Sequence, residues 1–172
     1  MVAKMNDMPS QADLRRIFEV DAQRGLLFWK KAPMFKAQLL GCESGCLKTK
    51  QSGYQYVAVK VNQRIYKRGR IIFMMVHGFD PNPLLDHIDG NSLNDAIYNL
   101  RPATHQQNAH NQGAKPRKVD LPAGVDAYKD QFRSRIFHNK KVMVIGYFNT
   151  ANEAHIAYLK KARELRGDYT RW

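Results

Sequence analysis

Cysteine is scarce in this chain: its 172 residues hold only Cys42 and Cys46. Two thiols cannot build a four-cysteine zinc site, and no Cys-x-x-Cys pair occurs. A disulfide is unneeded in a reducing cytosol, so both read as loop or core thiols. Long apolar runs are missing too. None approaches the roughly 18 residues of a membrane span, and Met1 to Ser10 has no apolar signal core. The expected location is the cytoplasm in which the chain is made, with no membrane partner. Acids are the third shortage. Fifteen Asp and Glu face 28 Lys and Arg, a formal net charge of +13. Such an excess attracts phosphate backbones, and binding of that kind weakens as salt rises. No aromatic stacking platform is evident on a predicted strand, which disfavours an RNA-binding module. What is present is apolar material for a core: hydrophobic residues make up 44% of the chain, which excludes global disorder.

Hydrophobic periodicity places the elements. Ser10 caps a short helix with Asp13 near its positive end, and Leu14, Ile17 and Phe18 share one face. Asp21 to Gly25 is turn chemistry, and Leu26 to Trp29 reads as a buried strand. Leu39 to Gly53 reads as a surface loop. Tyr54 to Val61 alternates as a half-buried strand, turned at Asn62-Gln63 into a partner strand, Arg64 to Lys67. Arg70 to His77 is apolar enough for a buried helix, ended by Gly78, with its Met and Phe side chains filling core. Charge is uneven. Residues 30 to 70 hold ten Lys and Arg against Glu43 alone, whereas residues 80 to 95 hold Asp80, Asp86, Asp89 and Asp95 without a Lys or Arg. A basic platform beside an acidic pocket suits a chain that grips phosphates and holds a cation at one point.

The centre of the chain is Leu84-Leu85-Asp86-His87-Ile88-Asp89-Gly90-Asn91, answered by Asn99-Leu100-Arg101 and Thr104-His105-Gln106-Gln107-Asn108. The pattern predicts a hairpin, Leu84 to Ile88 returning as Ile97 to Ala103. Thr104 then caps a helix through Asn108 to about residue 112. Asp86, near the strand end, and Asn108, one turn into the helix, are two oxygen ligands of the kind Mg²⁺ accepts alongside water and phosphate oxygens. An imidazole is the side chain suited to take a proton from water near neutral pH, and His87 stands beside them. In a flat strand His87 points away from Asp86, so a twist or bulge at the strand end is expected to bring both into one cleft. Asn99 has the donors and acceptor to tie the two strands and hold the His87 backbone. His105 and His110 read as exposed polar residues.

These residues resemble the HNH endonuclease motif, in the form found in phage-encoded homing and free-standing endonucleases. The resemblance covers roughly residues 11 to 112. It implies a ββα-metal (His-Me finger) nuclease fold, metal ligands Asp86 and Asn108, His87 as general base and Asn99 as a structural member of the site. It also implies one divalent metal, Mg²⁺ or Mn²⁺, with no zinc. The helix before the motif often carries Ala-His-Arg-Leu, where this chain has Arg68-Gly69-Arg70-Ile71. Pro102 stands where an aromatic residue is common.

Asn111 to Asp120 is basic and rich in breakers. Strands are expected at Gly124 to Tyr128, Gln131 to Phe137 and Val142 to Phe148, with turns at Lys129-Asp130 and Asn139-Lys140. Thr150-Ala151-Asn152-Glu153 is a capping box for a helix whose Ala154, Ala157, Tyr158, Ala162 and Leu165 share one face, ending at Gly167. The sheet face away from that helix carries Arg133 and Arg135, suited to a major groove. Gly124-Val125, Phe132 to Ile136, Ile145 to Ala151, Glu153-Ala154, Ala157-Tyr158 and Ala162 resemble the APETALA2-type (ethylene-response-factor) DNA-binding domain. That likeness implies a sheet-in-groove binder using Arg133 and Arg135, although Gln131 stands where a basic residue is common.

The expected organisation is α+β: a nuclease domain over 1–112 with its core at about 84–112, a basic linker at 113–120, and a DNA-binding domain over 121–172. Expected DNA contacts are Arg70, Arg101, Asn111, Lys115, Arg117, Lys118, Arg133 and Arg135. The partner is double-stranded DNA. A monomer nicks one strand, and a dimer is needed if one event cuts both. The competing reading is a DNA-binding protein or regulator with a degenerate nuclease domain. Only the nuclease needs Asp86, His87 and Asn108 together.

Overall fold

The computed structural model describes residues 8–111 and 121–169. The chain divides into two compact units, residues 1–105 and 106–172. Each is mixed helix and strand. No described helix is long and apolar enough to cross a membrane.

The first unit opens with α1, Gln11–Ile17, whose cap is Ser10 accepting from the Asp13 amide at 3.1 Å. Strand β1, Phe18–Asp21, follows without a break and pairs antiparallel with β2, Leu26–Trp29. Phe18 therefore closes the apolar patch from a strand and not from the helix, and its ring lies 4.7 Å from that of Trp29. β3, Cys46–Thr49, is exposed along its whole length and pairs with β4, Gln55–Val61, which pairs in turn with β5, Arg64–Lys67. The surface loop expected at 39–53 thus contains an edge strand, hidden from periodicity because neither of its faces is buried. Asn62 and Gln63 make the β4–β5 turn with φ of 47° and 67°, the left-handed geometry that matches strand twist in a two-residue hairpin.

Helix α2, Arg68–His77, begins directly after β5 and ends at Gly78, which is left-handed at φ 80°. Its Ile71, Ile72 and Met75 join Leu14, Phe18, Leu27, Val59 and Val61 in the core. Burying side chains of this size contributes about 1.5–3 kcal/mol each. Gln11 and Arg15 both donate to the Met75 carbonyl and tie α1 to the end of α2. The hairpin β6, Leu84–His87, with β7, Leu100–Ala103, completes the unit. A single 3₁₀ turn at Ile97–Asn99 replaces the start of the expected return strand. Helix α3, His105–Asn111, runs across the division between the units.

The second unit is an antiparallel sheet in the order β10–β9–β8, from β8, Val125–Tyr128, β9, Gln131–His138, and β10, Lys141–Phe148. A bulge sits between Val144 and Gly146. Helix α4, Ala151–Arg166, starts in the expected capping box: Thr150 accepts from the Glu153 amide, and Glu153 accepts from the Thr150 amide. Ala154 and Ala162 are fully buried, as are Ser134 and Ile136 of β9.

Candidate active site

The hairpin ladder fixes where the two central side chains go. Asp86 is register partner to Arg101 and His87 to Leu100, with no bulge in the pairing. Direct partners share a face of the sheet. Asp86 accordingly meets Arg101, with Nε 2.9 Å from Oδ2, and the carboxylate is 5% exposed. His87, one residue on, has another partner. Its Nε2 lies 3.0 Å from Oδ1 of Asp95, and the ring is 13% exposed. The bulge expected at the strand end is therefore missing, and ordinary alternation gives the two residues separate partners.

Asp95 is itself buried, and its Oδ2 accepts from Arg68 Nε at 2.9 Å. Arg68 reaches further, to Glu43 at 2.7 Å and the Leu93 carbonyl at 3.4 Å. A chain of side chains thus runs from α2 to the imidazole. It ends at a cavity of about 200 Å³ that His87 and Asp95 line with Tyr56, Lys67, Arg70 and Ser92. With the Asp95 carboxylate taken up by Arg68 and His87, the Lys67 and Arg70 cations around that opening suit an anion.

Asn99 closes the turn beyond His87. Its carboxamide accepts from the Asp89 amide at 3.0 Å and donates to Asp89 Oδ1 and to the Asn94 carbonyl. The expected grip on the His87 backbone takes the form of a grip on the turn. Backbone bonds from Ile88 N to Asn99 O, and from Gly90 N to His87 O, complete it. Burial works to raise the Asp89 carboxyl. Bonds from Asn94, the Asn91 amide and Asn99, with the nearby His87, outweigh it and hold the carboxyl below the usual range.

The four acids expected to form a cation pocket have distinct tasks. Asp80 pairs with Arg70, Asp86 with Arg101, Asp95 with Arg68, and Asp89 orders the turn. Their partners come from α2 and β7, outside the acid-rich segment, which is why local composition overstated its negative field. Among the described residues, no group of three or more His, Cys, Asp or Glu is arranged to hold a metal ion. Asp86 and Asn108 are each hard oxygen donors of the kind that a hydrated Mg²⁺ accepts. Arg101 already holds one Asp86 oxygen, so a cation at Asp86 shares that carboxylate with the guanidinium.

Residues 66–110 match the family model described as HNH endonuclease. The matched segment runs from Tyr66 on β5 through α2 and the hairpin to His110 on α3. It includes Asp86, His87, Asn99 and Asn108, and supports a nuclease reading for this part of the chain. No curated protein and no solved structure matches the chain. Residues beyond 110 lie outside the HNH match.

The remaining expected residues distribute unevenly. Asn108 is half-buried on α3 and Asn111 is buried there. Arg101 is turned inward onto Asp86. Arg70 lines the cavity and pairs with Asp80. Lys115, Arg117 and Lys118 lie outside the described residues. In the second unit, Arg133 and Arg135 stand on the expected face, and both pair with Asp126 of β8. Tyr128 and Tyr147 flank them, their rings 5.1 Å apart, with the Arg133 guanidinium 5.0 Å from the Tyr128 ring. Sequence reading missed Asp95, Arg68 and Glu43. Each is a single charged residue in a different segment, and only the fold joins them.

Proposed function

We propose that this chain is a metal-dependent DNA endonuclease with His87 as its general base. The observation that carries the reading is His87 of the HNH segment, held at 3.0 Å by a buried carboxylate on a cavity lined by Lys67 and Arg70. Water attacks the phosphorus as His87 takes its proton, and the bond to the 3′ oxygen breaks. The products carry 5′ phosphate and 3′ hydroxyl ends. Lys67 and Arg70 neutralise the phosphate approaching the cavity. Asp86 and Asn108 would hold a divalent cation, Mg²⁺ or Mn²⁺, whose charge would stabilise the phosphate and the departing oxygen. Asn99 keeps the turn after His87 closed.

Residues 121–172 are proposed as the DNA-binding part, laying the face of Arg133, Arg135, Tyr128 and Tyr147 against duplex DNA as the APETALA2-type likeness suggests. A phage-type homing or nicking role follows from the same likenesses, with a single site nicking one strand. The second reading is a DNA-binding protein with an inactive nuclease segment, and the ion pair of Arg101 on Asp86 is the observation in its favour. Supercoiled plasmid carrying the native flanking DNA separates the two. Conversion to open circles with Mg²⁺ or Mn²⁺, abolished by EDTA, is the expected result. A clean gel shift with no conversion in either metal contradicts the nuclease reading.

A further inference from the structure

We infer that Asp95 is a positioning residue for His87, fixing the imidazole with its proton on Nε2 so that Nδ1 is the nitrogen that accepts a proton. The inference rests on the reading of His87 as general base and deepens it.

A carboxylate oxygen has no hydrogen to give. The 3.0 Å contact between His87 Nε2 and Asp95 Oδ1 therefore has the imidazole donating. A neutral imidazole carries one N–H, so a donor at Nε2 puts the lone pair on Nδ1. Asp95 cannot swing away from this task easily. Its second oxygen is taken by Arg68, and Arg68 is held by Glu43 and the Leu93 carbonyl.

Two glycines shape the seat. A Cβ on Gly69 would stand 2.4 Å from Asp95 Oδ1, the same oxygen that receives the His87 proton. A Cβ on Gly25 would stand 2.3 Å from the Asp95 backbone carbon, and Gly25 is left-handed at φ 69°. Glycine is a poor helix former, so its place in the first turn of α2 needs a reason. Room for the Asp95 carboxylate is that reason.

The test uses the ¹⁵N-labelled full chain and long-range ¹H–¹⁵N spectra at a pH where the ring is neutral. His87 is assigned by its loss in His87→Gln. The expected wild-type spectrum shows the Nε2–H tautomer alone. Asp95→Asn should mix the tautomers and lower kcat by about 10²-fold, the scale of general-base catalysis, while KM for DNA stays within about twofold. Gly69→Ala should move the His87 signals the same way. A wild-type His87 protonated at Nδ1 overturns the inference. So does an Asp95→Asn chain with an unchanged His87 spectrum and unchanged kcat. If Asp95→Asn does not fold, the wild-type spectrum and Gly69→Ala still decide. A wild-type chain with the Nε2–H tautomer that cuts no DNA upholds the arrangement and refutes the nuclease reading instead.

Discussion

At the residue scale, the site is a set of small polar side chains with several bonds each. Asn99 is the clearest case, because it is buried and its carboxamide makes three bonds that close the turn. Asn99→Ala should destabilise the first unit by about 2–3 kcal/mol, from the loss of three hydrogen bonds at about 1 kcal/mol each. Urea titration of the full chain measures it. Asp89 gives a pH dependence of definite sign. Its carboxyl is lowered in the fold, so its contribution is present above the ordinary carboxylate pKa and is lost as pH falls through the lower folded value. Wild type should lose more stability than Asp89→Asn between pH 6 and pH 3, and equal losses would remove Asp89 from the turn. The placement of Asp86, His87 and Asn99 on one hairpin was legible in the sequence because one short segment holds them. Asp95 was visible only as one acid of four. Its pairing with Arg68 bridges 27 positions, and no local pattern reports that.

At the element scale, apolar runs bounded by turn residues announced themselves. β4, β9 and β10 were expected close to where they lie, as were the turns at Asn62-Gln63 and Asn139-Lys140 and the capping box of α4. Two strands were not. β1 is four residues long and continues from α1 without a breaker, so Phe18 read as a helical residue. β3 is exposed throughout and so carries no apolar period. α2 shows the converse, a local preference overruled by packing. Alanine is favoured over glycine in a helix by about 1 kcal/mol, yet Gly69→Ala should lower the melting temperature, because its Cβ meets a buried carboxylate held on two sides. A raised melting temperature would show that Asp95 shifts freely and that the seat is not tight.

At the scale of the whole molecule, the excess of positive charge is the property that sets partners. Many arginines are already committed to acids: Arg68, Arg70 and Arg101 in the first unit, and Arg133 and Arg135 in the second. The net charge of +13 already counts those acids, so the field offered to a phosphate backbone comes from the lysines and arginines outside these pairs. Arg133→Ala with Arg135→Ala should weaken DNA binding and flatten its salt dependence, although the shared Asp126 makes the change smaller than two released counterions. An unchanged slope would take that sheet face out of the interface. The measurement closest to the central claim compares wild type with His87→Ala on the same supercoiled plasmid, following nicking and gel-shift affinity together in Mg²⁺. The account predicts that His87→Ala loses nicking and keeps its DNA affinity within about twofold, because general-base catalysis acts on the reaction and not on binding. Nicking by His87→Ala at a rate comparable to wild type would contradict it.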